Sequence, residues 1–85
     1  MNGNQKFLRK LNRKERNKVN EATDLILTGG TAKLDVKKLK GLPNLFRVRV
    51  GKSRIIYISK KEGNKIIFTG FRDDNTYKHF KSLIF

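Results

Sequence analysis

Between Leu45 and Phe71 the chain alternates. In Phe46-Arg47-Val48-Arg49-Val50 apolar and basic residues take turns, and successive side chains of an extended strand point to opposite faces. Phe46, Val48 and Val50 therefore share a core-facing side, and Arg47 and Arg49 share the other. The spacing predicts strands near Leu45–Val50, Arg54–Ser59 and Lys65–Phe71. Gly51-Lys52-Ser53 joins the first pair, and Lys60–Asn64, containing Gly63-Asn64, joins the second. Loops this short, each with a glycine, imply an antiparallel meander.

Upstream the period changes from two to that of a helix. Phe7, Leu8 and Leu11 fall on one side of a short helix over Gln5–Leu11. Asn12 precedes Glu15 by three residues, the spacing of a capping box. It predicts a second helix from Arg13 to about Thr28, with Val19, Ala22, Leu25 and Ile26 on its apolar side and Gly29-Gly30 at its end. The two helices read as an antiparallel hairpin. Thr31–Asn44, with Pro43, reads as a connector that packs down through Leu34, Val36, Leu39 and Leu42. Asp74 or Asn75 would cap a last helix carrying Tyr77, Phe80 and Ile84 on one face, with Leu83 beside it. The expected order is α-α-β-β-β-α: an α+β two-layer fold, an N-terminal helical hairpin packed on a small antiparallel sheet with a short C-terminal helix. The face bearing the arginines is expected to stay open.

The chain has 85 residues, read as one domain over 1–85. It lacks cysteine, which excludes disulfides and thiol nucleophiles, and a single histidine, His79, makes a zinc site improbable. No metal or cofactor is expected. Met1 to Lys10 lacks the apolar stretch of a signal peptide and nothing approaches a membrane span, so a cytoplasmic location is expected. Charge is the strongest bulk signal: 21 Lys and Arg against 7 acidic residues, a net +14. Between Ala32 and Lys61 the basic residues face a single acid, Asp35. Such an excess is self-repulsive, and an anionic partner would relieve it; a nucleic acid fits better than a membrane surface, which calls for an exposed bulky apolar face as well.

The residues resemble the RelE/ParE superfamily of toxins from toxin–antitoxin systems. The resemblance covers nearly the whole chain. It is carried by the basic helical segment, Leu39-Lys40-Gly41, Phe46-Arg47-Val48-Arg49-Val50-Gly51, Arg54-Ile55-Ile56-Tyr57, Gly70-Phe71-Arg72 and Tyr77. It implies a RelE/ParE-like fold and, in the RelE branch, a ribosome-dependent endoribonuclease that cuts messenger RNA and is neutralised by an acidic antitoxin. The same resemblance implies catalytic roles for Arg47, Arg49, Arg54, Arg72 and Tyr77. Three features depart from the family pattern. Arginines stand at the first two positions where lysines are usual, the interval from Arg72 to Tyr77 is short by about one residue, and Met1–Gln5 is too short and polar for the usual first strand. The sheet is then expected to be a strand short, with an edge open to an antitoxin segment or a second copy.

Cleavage of this kind uses the 2′-hydroxyl of the RNA as nucleophile. It requires a base, stabilisation of charge on the phosphate and a proton for the departing 5′-oxygen. Forked guanidinium groups suit the phosphate, and Arg54 with Arg47 or Arg49 supplies them. Lys40, Lys52, Lys60 and Lys61 are candidate RNA-binding residues. Arginine is a poor base, so the proton-transfer candidates are Lys52, Asp73 and His79. Asp74 is an alternative to Asp73 unless it caps the last helix. His79 has the side chain type that titrates near neutrality, but two residues along a helix it points about 200° from Tyr77. Tyr77 can stack on a base or pack in the core beside Phe80 and Ile84; Tyr57, among isoleucines, reads as core. Two other readings remain: a ParE-like inhibitor of DNA gyrase, and a non-catalytic RNA-binding module using the same basic face.

Overall fold

The computed structural model describes residues 7–39, 44–72 and 75. Residues 7–9 form a helical turn. Helix α1 (Arg13–Thr28) and a 3-10 turn (Thr31–Lys33) follow, then strands β1 (Asp35–Lys38), β2 (Leu45–Val50), β3 (Ser53–Lys60) and β4 (Gly63–Phe71). The capping box is present. The Asn12 side chain accepts from the Glu15 N–H at 2.8 Å, and Glu15 Oε1 accepts from the Asn12 N–H at 3.3 Å. At the other end Gly29 takes the left-handed conformation, φ +85°. Of the expected first helix, Gln5 lies outside the described residues. Phe7 and Leu11 are both buried in the core that α1 helps to form. The expected C-terminal helix also lies outside them, apart from Asn75.

The described strands form a four-stranded antiparallel meander in the order β1-β2-β3-β4. This corrects two expectations. The connector Thr31–Asn44 contains β1, which pairs with β2 from Asp35↔Arg49 to Lys38↔Phe46, so the sheet is larger than the three strands read from sequence. Its signal was faint because β1 has four residues and one inward apolar position, Val36, too few for a period of two to stand out.

The second correction concerns the two faces. Val36, Phe46, Val48, Val50, Ile55 and Tyr57 face α1 and join Val19, Ala22 and Ile26 in the main core. The opposite face does not stay open. Leu39, Leu45 and Ile56 form a second buried cluster there, with Ile58 and Phe68 packed against it, and Ile56 is fully buried. β3 is thus apolar on both sides at its centre, which explains its unbroken Ile55-Ile56-Tyr57 run.

A bulge sits in β4. Tyr57 pairs with Ile66 while Ile56 pairs with Phe68, leaving Ile67 as the extra residue. The insertion shifts the alternation beyond it. Ile66 faces α1, Phe68 joins the second cluster, and Phe71 returns to the main core, where its ring meets Phe7 edge-on at 4.7 Å.

Candidate active site on the arginine face

Strand β2 carries Arg47 and Arg49 to the side away from α1, and register does the rest. Arg49 lies opposite Arg54 of β3 and opposite Asp35 of β1; Arg54 lies opposite Gly70 of β4. One row across the sheet therefore reads Asp35, Arg49, Arg54, Gly70. The next row places Lys37 beside Arg47, then Ile56 and Phe68. Like charges directly opposite one another repel, so the first row needs anchors. Arg49 Nε lies 3.9 Å from Asp35 Oδ2, with both side chains more than half exposed (55% and 60%), a weak and salt-screened contact. Arg54 turns elsewhere: its Nη1 donates to the carbonyls of Gly51 at 2.7 Å and Ser53 at 2.8 Å.

These bonds organise the β2–β3 turn. Gly51 has φ +56°, the left-handed geometry that a tight hairpin turn demands and that glycine accepts without a steric cost. The Arg72 N–H donates to the Lys52 carbonyl at 3.1 Å, tying the end of β4 to the same turn. The carbonyls of Gly51, Lys52 and Ser53 thus each accept from an arginine, two from the Arg54 side chain and one from the Arg72 backbone. Arg72 follows Phe71, which points into the main core, so strand alternation puts it on the arginine side.

Exposure separates the arginines. Arg47 and Arg54 are 8% and 6% exposed, whereas Arg49 and Arg72 are exposed to solvent. Of the expected residues, Arg47, Arg49, Arg54 and Arg72 lie on one face of the sheet, with Arg47 and Arg54 drawn inward. Lys52 is exposed at the turn beside them. Lys60, the last residue of β3, lies six residues from Arg54, about 20 Å along the strand, and Lys61 lies in the turn after it, so neither is part of this cluster. Lys40, Asp73, Tyr77 and His79 lie outside the described residues. Tyr57 faces α1 in the core, stacked on Phe46 with ring centroids 5.2 Å apart. Burial pushes its phenol above the ordinary value of 10.0, and a hydrogen bond with the Thr31 side chain partly opposes this.

Sequence reasoning missed the place of Asp35. It is, among the described residues, the only acidic residue in a strand, and it stands at the end of the arginine row. The signal was visible as the single acid in a long basic segment, but without β1 nothing assigned it a face. Asp35 and Arg49 also border a groove of about 280 Å³ between α1 and the β1–β2 edge, whose rim includes Lys18, Glu21 and Lys33.

No protein-family model matches the chain, and no curated protein matches it in sequence. Among solved structures, the archaeal RelE–RelB complex from Pyrococcus horikoshii OT3 is similar, with a TM-score of 0.61 and 28% sequence identity. The match covers 80% of this chain and 84% of that one. A basic two-layer α+β domain with an arginine row on its sheet is the class that the fold and site define. More narrowly, the fold is that of a RelE-like toxin. Among the described residues no helix is long and apolar enough to cross a membrane.

Proposed function

We propose that this protein is the toxin of a type II toxin–antitoxin system and acts as a ribosome-dependent endoribonuclease on messenger RNA. The observation that carries this reading is the row of Arg49 and Arg54, with Arg47 and Arg72 beside it, on the sheet of a RelE-like fold. Arg49 and Arg72 are the exposed pair and make the phosphate contacts. Arg54 holds the turn and adds its charge from beneath. The 2′-hydroxyl of the RNA loses its proton and attacks the adjacent phosphorus, and the bond to the 5′-oxygen breaks. The products are a 2′,3′-cyclic phosphate and a 5′-hydroxyl end, and the leaving oxygen takes a proton. No metal ion or organic cofactor is needed for this chemistry. Tyr77 stacks on a base of the substrate, and Arg47 supports the developing charge.

Strong phosphate recognition with few proton-handling groups makes free RNA a poor substrate. Positioning on the ribosome supplies the missing orientation, an effect worth several kcal/mol of barrier. The structural neighbour is RelE in complex with RelB, and the net charge of +14 suits an acidic antitoxin as the partner of this chain.

Inducing the protein in bacteria and mapping 5′ ends across messenger RNAs tests the reading, with Arg54→Ala as control. The expected result is cuts within codons, on translated messages, absent from the variant. Growth arrest with intact messages would replace this reading with gyrase inhibition. RNA retention without new 5′-hydroxyl ends would replace it with a binding module.

A further inference from the structure

We infer that Asp35 is the proton acceptor for the 2′-hydroxyl. The inference rests on the cleavage reading above and deepens it. A base must lie within hydrogen-bond reach of the proton it removes, about 2.6–3.2 Å between heavy atoms in the reacting complex. A phosphate held by Arg49 places the neighbouring ribose hydroxyl within a few bond lengths of that guanidinium. The Asp35 carboxylate is 3.9 Å from Arg49 Nε, on the same face and in the same row. Its side chain is 60% exposed, so it can turn from Arg49 to the ribose as the phosphate takes its place on the guanidinium.

Asp35 is the one carboxylate in the four strands, and the remaining charged groups of the arginine row are guanidinium ions, which act as donors and not as bases. The charged groups around Asp35 are Arg49 of β2, Lys37 of β1 itself, Lys33 of the 3-10 turn, and Lys18 and Glu21 of α1 across the groove. Cations outnumber the one carboxylate among them, so the surroundings of Asp35 are positively charged and draw the RNA phosphate toward it.

The proton balance closes. The O–H bond of the 2′-hydroxyl breaks and its proton goes to the Asp35 carboxylate. The 2′-oxygen forms its bond to phosphorus as the bond to the 5′-oxygen breaks. The 5′-oxygen takes a proton from water, and Asp35 returns its own to solvent. Nothing is oxidised or reduced.

The test is single-turnover cleavage of messenger RNA on ribosomes at neutral pH, with wild-type protein, Asp35→Asn and Asp35→Glu, alongside RNA-binding measurements. The expected result for Asp35→Asn is a cleavage rate lowered about 100-fold or more, with RNA binding as tight as wild type or tighter. Asp35→Glu should recover part of the rate. Asp35→Asn cutting at the wild-type rate would overturn the inference while the cleavage reading stands. So would a slow variant whose RNA binding weakens in the same proportion, since that makes Asp35 a positioning residue for Arg49. Wild-type protein that binds ribosomes and cuts nothing would overturn both.

Discussion

Arg49 and Arg54 stand directly opposite one another across the β2–β3 pair. Two cations at that spacing repel, at a cost of a few tenths to about 1 kcal/mol, and the fold keeps them there by giving each a different anchor. Arg49 leans toward Asp35 and Arg54 bends into the turn. The arrangement makes sense for an anion that engages both sides of the pair.

Arg49→Ala separates function from folding. It removes a weak exposed ion pair and relieves the cross-strand repulsion, two small effects of opposite sign. The expected outcome in urea unfolding is a stability within about 0.5 kcal/mol of wild type. Cleavage of ribosome-bound message should fall at least about 100-fold.

Arg54→Lys behaves differently although it keeps the charge. A lysine cannot place one nitrogen between the carbonyls of Gly51 and Ser53 from a planar, buried guanidinium position. Hydrogen bonds to charged groups contribute about 1.5–3 kcal/mol, and a loss in that range is expected by denaturant unfolding. Amide exchange should quicken at Arg72, whose N–H depends on the same turn.

Gly70→Ala tests the floor of the site. A Cβ at this position would lie 2.6 Å from Phe68 Cζ, so the Phe68 ring must move off the second apolar cluster that it covers. The expected cost is about 1–3 kcal/mol by thermal unfolding, with reduced cleavage because Gly70 is the cross-strand neighbour of Arg54. Unchanged melting in this variant would show that the ring moves freely.

Tyr57→Phe should alter stability in strong base. The folded state holds the phenol proton above the ordinary value of 10.0, so between that pH and the folded-state value the native protein binds more protons than the unfolded chain. Stability from this source is intact below pH 10 and falls as pH rises above it. Since lysines titrate in the same range, the informative quantity is the difference between wild type and variant. The downward slope above pH 10 should be shallower for Tyr57→Phe. Near neutrality the variant loses only the phenol hydroxyl, and its stability should stay within about 1 kcal/mol of wild type.

Local rules were enough for α1 and the later strands. The Asn12–Glu15 capping box sets one helix end and the glycine pair the other, because both act through neighbouring backbone groups. The Phe46–Val50 alternation likewise placed Arg47 and Arg49 on one face. The rest depended on contacts distant in sequence. β1 is held by pairing with β2 and not by its own pattern. The buried state of Arg47 and Arg54 is not written in the alternation, and the second cluster on their face draws its members Leu39, Leu45 and Ile56 from separate segments. Asp35 belongs to the row through register alone, which a composition count around it cannot supply.

The extra residue in β4 sets the phase of everything downstream. With Ile67 inserted, Phe71 turns inward and Arg72 outward to the arginines. Were the bulge smoothed out with Ile67 kept as an ordinary strand residue, the alternation would invert: a phenylalanine would meet the substrate and an arginine would be driven into the core. Deleting Ile67 itself leaves Ile66 and Phe68 adjacent with their facings unchanged, whereas a single-codon insertion or deletion between Phe68 and Arg72 turns Arg72 away from the other arginines. Loss of toxicity in such a system need not leave its mark on any of the arginines.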